Sequence, residues 1–373
     1  MKFEDVKKQN RNNVYRVIYE SKKISKPDIA GKLCISVPSV SQYVTDLKEM
    51  GLISDEGFYE STGGRKAAVI SCIADAKIAI GVQILRDKVH LTAIDLYGNI
   101  LKTEDLEIPF KRDDAYCAFI GNAVTVFFIS LDISNDKLLG VGIAIQGLVD
   151  HKTQKIIFGP LADSTGFSME NFKEFIPFPC TLRHDTESSA NYALWLNEKA
   201  KNALYFVLNK DVGGVLVING SVFYSSKLPS GLIAHMTIVP GGLPCYCGKK
   251  GCVNAYCSPA FLLAGFHESL DEFFLNVRVK EKRHSVRWAE YLHYVAAAIY
   301  NYQVILGTEV VIDGDVAKYM NDEDIKKLEE MVIDGSTLAD RFPNISLSKE
   351  YDAAAGAALF YIKDFLKQFG ITN

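Results

Sequence analysis

One short segment of the sequence concentrates side chains that could bind a metal ion. Cys245, Cys247 and Cys252 follow the spacing C-x-C-G-x-x-G-C, and His235 lies ten residues before the first of them. Three thiolates and one imidazole are ligands that Zn²⁺ binds tetrahedrally, and four protein ligands leave no open position for water. The set therefore predicts a closed, structural Zn²⁺ site. The alternative is three reduced cysteines that lie near a histidine by chance.

Length and composition limit the class of protein. The chain has 373 residues, 48% hydrophobic and 23% charged, which predicts two or three globular domains and excludes disordered and fibrous classes. Its eight cysteines do not indicate a disulfide scaffold. The longest apolar stretch, residues 117–131, is too short to cross a bilayer, and the first dozen residues are too polar for a signal peptide. We expect a cytoplasmic protein without a membrane partner.

The order of elements predicted for residues 1–70 is that of a winged helix-turn-helix. Apolar spacing predicts a first helix over about residues 6–20. Ser25 and Ser36 stand where they would cap a second and a third helix. Residues 52–59 are predicted to form a small β-hairpin that turns at its Asp-Glu-Gly sequence. This hairpin would be the wing, and the third helix would be the recognition helix.

The outer face of the predicted third helix carries groups suited to a DNA major groove. With the apolar stripe of the helix facing inward, that face holds Ser39, Gln42, Tyr43, Thr45 and Lys48. The net charge of the chain is −4, yet residues 1–26 carry eight Lys and Arg against three acids. Arg65 and Lys66 follow two glycines, as suits contact with a minor groove. We predict binding to double-stranded operator DNA; a packing or dimerisation module with an idle basic surface is the alternative.

Beyond the module, predicted strands and helices alternate in two similar rounds. The first round has strands at about 78–85, 88–96, 100–106 and 139–145 and a helix at 113–131. The second round has strands at 203–208, 214–219, 222–224 and 309–312 and helices at 186–198, 259–270, 286–305, 321–332 and 352–369. The pattern predicts a duplicated α/β architecture, with a cleft between a first lobe, residues 71–185, and a second lobe, residues 186–373. The glycine-rich segment 61–67 is the predicted boundary between module and lobes.

Several segments resemble the signature sequences of the ROK family (repressors, open reading frames and sugar kinases). They are residues 142–150, 231–236, 241–252 and 352–358. The module and residues 62–66 are similar to the repressor branch, whose members control sugar-utilisation operons. The resemblance extends over essentially the whole chain. It implies an actin-like, two-lobed sugar-kinase fold behind the winged helix, and a homodimer or homotetramer.

The resemblance also implies a sugar site in the cleft, with departures from the family pattern. Asp185 matches the catalytic, sugar-contacting aspartate, and His235 matches a residue that both binds zinc and approaches the sugar. His184 stands where family members usually carry Asn, while Leu232 and Asn254 replace glutamates. The ligand-binding candidates are therefore His184, Asp185 and His235. Two alternatives stay open: that Asp185 only caps the following helix, and that the lobes form a ligand-free dimerisation platform.

The phosphate-binding turns of a family kinase need glycines, because backbone N–H groups must surround ATP phosphates. Residues 83–87 contain no glycine, residues 209–214 place Asp211 where phosphates would lie, and residues 313–315 flank one glycine with two acids. We therefore predict a catalytically silent repressor of carbohydrate-utilisation genes with a possible sugar effector. A sugar kinase is the main alternative, and a platform for protein interactions is the third.

Overall fold

The computed structural model of the chain describes residues 3–58, 68–159, 164–196, 200–223, 232–334, 344–348 and 352–372. The helices are α1 Phe3–Ser21, α2 Lys26–Leu33, α3 Val37–Glu49, α4 Asp114–Ile129, α5 Glu170–Lys173, α6 Asp185–Leu196, α7 Val253–Cys257, α8 Pro259–Leu262, α9 Leu270–Arg278, α10 Lys282–Leu306, α11 Asp322–Asp334 and α12 Ala353–Lys367. Within these ranges, no helix is long and apolar enough to cross a bilayer.

The strands are short and belong to four sheets. They are β1 Lys23–Ile24, β2 Ile53–Phe58, β3 Ala68–Cys72, β4 Ile78–Ile84, β5 Val89–Ile94, β6 Ile100–Leu106, β7 Leu138–Ile145, β8 Leu148–Asp150, β9 Lys155–Phe158, β10 Cys180–His184, β11 Ala203–Leu208, β12 Val212–Ile218, β13 Ser221–Val222, β14 Glu309–Asp313 and β15 Ile345–Leu347. The sheet orders are β1-β3-β2, β10-β7-β4-β5-β6, β13-β12-β11-β14-β15 and β8-β9.

The first three helices and the first sheet form the winged helix-turn-helix that the sequence predicts. The side chains of Ser25 and Ser36 accept the backbone N–H groups of Asp28 and Ser39, so both helix starts are capped as expected. The inward stripe of α3 (Val40, Val44 and Leu47) is buried in the core of the module. We refer to residues 3–58 and 68–72 as the module.

The wing differs from the predicted hairpin. Residues 55–57 lie inside β2, where the register shifts, and the returning strand is β3, which also pairs with β1. The predicted turn is therefore wrong, because a β-bulge and not a reversal accommodates the glycine. The glycine-rich segment 61–67 falls between two strands of one sheet rather than between two domains. It lies outside the described residues.

The two lobes share one sheet topology, which confirms the predicted duplication. In the first lobe, β4 pairs antiparallel with β5 and parallel with β7, and β10 extends the parallel side. In the second lobe, β11 pairs antiparallel with β12 and parallel with β14, and β15 extends the parallel side. The parallel strands carry their helices on the sheet faces, as in other α/β folds.

Glycines allow α12 to pack directly against backbone on both sides. A Cβ atom on Gly81 of β4 would lie 1.8 Å from the carbonyl oxygen of Ala354, and one on Gly356 would lie 1.8 Å from that of Ser188 in α6. Only glycine permits such an approach. Helix α12 is therefore held between the first sheet and α6, where the two lobes meet.

The same helix continues into the core of the module. The rings of Tyr15 in α1 and Phe369 just after α12 lie 4.4 Å apart, and Asn12 Nδ2 donates to the carbonyl oxygen of Gln368 at 2.7 Å. Tyr19 stacks on Tyr97 of the first lobe with 4.6 Å between ring centroids. Residues of α1, α3, β3 and α12 form one continuous apolar core, so the module is fixed to the first lobe.

Two further predictions are wrong in detail. The predicted helix 259–270 is two elements, α8 and α9, because Ser269 and Glu272 form a capping box that begins a new helix. The cysteines outside the metal cluster are expected to be ordinary buried thiols, which holds for Cys72, Cys117 and Cys257, whereas Cys180 is half-buried and Cys34 is exposed in the turn between α2 and α3. The strands β1, β3, β8, β9, β10 and β15 were not predicted.

Candidate functional site

The structure brings the four predicted metal ligands together. The ligand atoms of His235, Cys245, Cys247 and Cys252 all lie within 4.8 Å of one another. Cys247 Sγ lies 3.7 Å from Cys252 Sγ, and Cys245 Sγ lies 3.7 Å from His235 Nδ1. Two sulfurs each about 2.3 Å from one tetrahedral zinc lie about 3.8 Å apart. The cluster therefore fits a metal ion of the size and geometry of Zn²⁺.

Tight turns place these ligands. Gly248 and Gly251 have φ of +84° and +81°, which side-chain-bearing residues rarely adopt. A Cβ atom on Gly251 would also lie 1.8 Å from the carbonyl oxygen of Val239. Burial lowers the pKa of His235, and the charge of Lys249 lowers it further, which keeps the imidazole neutral for metal binding. Both effects favour a preformed cluster.

A small cavity lies in the cleft beside the metal cluster. Its volume is about 80 Å³, below the several hundred cubic ångströms typical of ligand sites, so a sugar requires the lobes to separate slightly. The polar residues that line it are Gln146, His184, Asp185, Thr186, Asp211, His235 and Tyr246. All three predicted ligand-binding residues therefore face one cavity.

Asp185 and His235 both line the cavity, and each also contacts neighbouring side chains or backbone. Asp185 Oδ1 accepts the backbone N–H of Thr186 at 2.8 Å in the first turn of α6, and it lies 3.3 Å from His184 Nε2. Burial raises the pKa of Asp185. Nδ1 of His235 faces the cysteines, and its Nε2 lies 3.2 Å from the hydroxyl of Tyr246 in the cavity wall. Asp185 thus bonds the adjacent backbone N–H rather than one two or three residues further on, as a helix cap would, and it also lines the cavity.

The structure describes one of the two residues that replace the family's glutamates. Asn254 is buried, and its Oδ1 accepts the backbone N–H of Val212 at 2.8 Å, so the amide supports β12. The side chain of Leu232 lies outside the described residues. Gln146 and Tyr246 were missed as cavity residues, although Tyr246 lies between two metal ligands and its position could have indicated the cleft.

The candidate DNA-contacting residues lie on and around α3. Ser39, Gln42 and Thr45 are exposed. Tyr43 is half-buried against α1, and Lys48 is half-buried and pairs with Asp55 of β2. Arg65 and Lys66 lie outside the described residues. Among the described candidates, the exposed residues are therefore Ser39, Gln42 and Thr45.

Comparison with known proteins identifies the family. The sequence model of the ROK family matches residues 79–363, most of the chain. The chain belongs to the ROK family. This confirms the resemblance found in the sequence.

Known relatives of this ROK chain include a regulator. The DNA-binding transcriptional dual regulator NagC of Escherichia coli K12 is 27% identical over 260 residues, which are 68% of this chain and 64% of NagC. The chain thus spans slightly less than two thirds of the length of that relative.

Solved structures confirm the ROK fold. A ROK family transcriptional regulator described as a homologue of the E. coli MLC protein superposes with a TM-score of 0.78 at 18% identity, over 98% of this chain and 97% of its own. A ROK family glucokinase from Streptomyces griseus, solved with glucose and AMPPNP, superposes with a TM-score of 0.63 at 18% identity, over 76% of this chain and 98% of its own. The winged helix-turn-helix and actin-like lobes predicted from the sequence are therefore confirmed.

An acid occupies part of the cleft in this ROK chain. Burial and the negative charge of Asp185 raise the pKa of Asp211 to about 6, and the positive charges of Lys210 and Arg86 act in the opposite direction. Gln146 Nε2 lies 3.5 Å from Asp211 Oδ2. A half-buried acid at this position repels phosphate groups once it ionises.

Replacing Asp211 with Asn is expected to stabilise the protein at neutral pH. The folded state keeps the Asp211 proton up to about pH 6, whereas the unfolded chain loses it near pH 4, so the acid costs stability as the pH rises between these values. With allowance for solvent screening we expect a gain of about 1 kcal/mol at pH 7.5, falling to about half at pH 5. Urea unfolding at both pH values measures it. Asp87→Asn, at an exposed acid, is the control; equal gains in both variants contradict the burial argument.

Proposed function

We propose that this ROK chain is a DNA-binding transcriptional regulator, a repressor of carbohydrate-utilisation genes that responds to a sugar. The observation that carries the proposal is the exposed face of α3 on a module whose core is shared with the sugar-kinase-like lobes. A recognition helix on such a module can enter the major groove of double-stranded operator DNA. The name of the relative NagC is consistent with this reading. A homodimer or homotetramer would present two such helices to paired half-sites. The cytoplasmic location stays a prediction.

The effector is proposed to be an unphosphorylated sugar or derivative in the cleft. Asp185, His184 and His235 offer hydrogen-bond partners for hydroxyl groups in one cavity. Asp211 lies in the same wall and, when ionised, opposes a phosphate group there. A sugar that holds the lobes slightly apart shifts the protein only by its difference in affinity for the two lobe arrangements.

The metal is proposed to be a structural Zn²⁺. The Cys₃His donor set and the 3.7 Å separations support this choice. When bound, the ion would fix the loop that carries Tyr246 and orient the ring of His235, both of which line the cavity. It has no proposed role in a reaction, because all four of its positions would be occupied by the protein.

Catalytic silence is also a proposal, and the family kinases make it testable. The loop between β4 and β5 is a tight turn without glycine, in which Leu85 N donates to the carbonyl oxygen of Lys88 at 2.9 Å. Asp313 and Asp315 flank the single glycine of the third turn. Burial raises the pKa of Asp313 to about 6, although a hydrogen bond from the backbone of Gly314 lowers it. Such surroundings are unfavourable for a triphosphate.

The proposal is tested by titrating the protein onto the DNA upstream of its own gene, over a range of salt, with glucose, N-acetylglucosamine and xylose and with their phosphates. We expect tight binding with a steep salt dependence that one unphosphorylated sugar weakens. In Asp185→Asn, the sugar concentration needed to weaken DNA binding should rise at least 10-fold, while the DNA affinity without sugar stays unchanged. Asp132→Asn, at an exposed acid, is the matched control.

Each contrary outcome points to a different rival. Specific binding that no sugar changes would leave the lobes as a scaffold and refute the effector proposal. Absence of specific binding at low salt, together with sugar-dependent formation of ADP, would establish the kinase alternative. An unchanged sugar response in Asp185→Asn would place the effector elsewhere.

A further inference from the structure

A cavity larger than the one in the cleft lies elsewhere in the chain. It lies between β10, the end of α6 and α12, and its volume is about 470 Å³. We call it the α12 cavity. Its lining residues are Thr181, Arg183, Trp195, Phe360, Tyr361, Lys363, Asp364, Leu366, Lys367, Ile371 and Thr372. Both its size and its mixture of apolar walls with a few polar groups are typical of small-molecule sites.

The charged groups of this cavity are mostly cations. Arg183, Lys363 and Lys367 line it, against the single acid Asp364. An adjoining cavity of about 270 Å³ shares Lys363 and adds Lys201. Cations in a shared concave surface with low-dielectric walls attract anions more strongly than isolated surface lysines do.

Lys363 is half-buried without a carboxylate partner. Its Nζ donates to Asn191 Oδ1 at 2.6 Å and lies 5.5 Å from the centre of the Trp195 ring. Among the described residues no acid forms an ion pair with it, and burial lowers its pKa to about 8. An ammonium group held in this way is costly unless an anion joins it.

Arg183, which also lines the cavity, has no carboxylate partner among the described residues either. Its guanidinium lies 4.0 Å above the ring of Phe360, and its Nη1 lies 3.0 Å from His151 Nδ1. Arg183 Nε is buried and has no hydrogen-bond partner, and the same holds for the amide Nδ2 of Asn191, which lies beside Lys363. Buried donors without acceptors are uncommon in native proteins and indicate a missing partner.

We propose that the α12 cavity binds a small organic phosphate. The phosphate group lies between Lys363 and Arg183, because paired cations suit a dianion and a guanidinium can bond two phosphate oxygens at once. The rings of Trp195, Phe360 and Tyr361 cover the organic part, which can be a sugar or a nucleoside. The α12 cavity is separate from the cleft, and this proposal does not depend on the sugar-binding role proposed for the cleft.

The wall of the cavity is already rigid. Trp195 Nε1 donates to the carbonyl oxygen of Tyr97 at 2.7 Å, and α12 is fixed against the first sheet by the glycine contacts described above. A preformed site loses less conformational entropy when it binds a ligand. The α12 cavity is therefore open to a ligand without movement of the lobes, unlike the cavity in the cleft.

Isothermal titration of the full chain with inorganic phosphate, glucose 6-phosphate and AMP, and with glucose as the uncharged comparison, tests this proposal. We expect at least one phosphate compound to bind and glucose not to bind at this site. Lys363→Met should weaken that binding at least 10-fold, while Lys326→Met, at an exposed lysine of α11, should leave it unchanged. Arg183→Gln is a second variant that should weaken binding in the same direction.

Proton uptake distinguishes a direct role of Lys363 from a structural one. An anion beside Lys363 raises its pKa from about 8, so binding at pH 8.5 should take up protons and the measured heat should depend on the ionisation enthalpy of the buffer. This dependence should disappear in Lys363→Met. The proposal is overturned if no phosphate compound binds at millimolar concentration, if Lys363→Met binds as well as the parent, or if Asp185→Asn abolishes the binding, which would locate it in the cleft.

Discussion

Replacement of Cys252 with Ser is expected to abolish zinc binding and to destabilise the second lobe severely. Cys252 is fully buried, and its Sγ lies 3.7 Å from that of Cys247, so its loss removes one of four ligands at the point where the loop joins α7. We expect about one zinc per chain in the parent and less than about a tenth of that in the variant. The free energy of unfolding should fall by several kcal/mol, less than the roughly 10–16 kcal/mol of zinc-finger peptides, because the lobe has its own apolar core.

The matched control is Cys257→Ser, at a buried thiol five residues further along the chain. Cys257 lies outside the metal cluster, so this variant should lose only about 1–3 kcal/mol for the buried hydroxyl and keep its zinc. Elemental analysis and urea unfolding of both variants measure the two effects. Equal zinc content in the two variants would show that the cluster does not bind the metal.

Replacement of Gln42 with Glu is expected to weaken operator binding about 10- to 100-fold. Gln42 is exposed on the outer face of α3, beside Thr45 and one turn from Ser39. An amide there can donate to a base or a phosphate, whereas a carboxylate cannot donate and is repelled by the DNA backbone. Fluorescence anisotropy with DNA from upstream of the gene, at several salt concentrations, measures the loss.

Gln368→Glu makes the same chemical change at an exposed residue next to α12 and is the control. It should change affinity less than 2-fold and unfold at the temperature of the parent. Gln42→Glu loses the hydrogen bond from Gln42 to Asp46 and places two carboxylates one helical turn apart, so its unfolding temperature should fall slightly. If both variants weakened binding equally, the loss would reflect the added negative charge alone, and α3 would not be the reading helix.

The elements that the sequence predicted well are those fixed by neighbouring residues. Ser25 and Ser36 cap their helices within three positions, and the three cysteines lie within one eight-residue loop. The duplicated topology could be predicted because each strand and helix shows its own periodicity. His235 could also be predicted as a fourth ligand, because it lies only ten residues before the first cysteine.

The features that escaped prediction depend on distant parts of the chain. The wing closes through β3, whose pairing with β1 is invisible in the pattern of residues 52–59. The α12 cavity combines Arg183, Trp195 and Lys363, which are up to 180 residues apart and unremarkable in isolation. The break between α8 and α9 follows from a capping box that competes with an otherwise helical pattern.

The placement of α12 has a consequence for anyone who exchanges DNA specificity between proteins of this architecture. Tyr15 and Asn12 contact the chain immediately after α12, and Tyr19 stacks on the first lobe. Part of the apolar core of the module is therefore supplied by residues outside the module. Only five residues, 73–77, connect β3 to β4. A chimera that receives the module of another protein must therefore also receive that protein's α12 residues at the interface. Otherwise the new module would pack against side chains of the wrong size and shape.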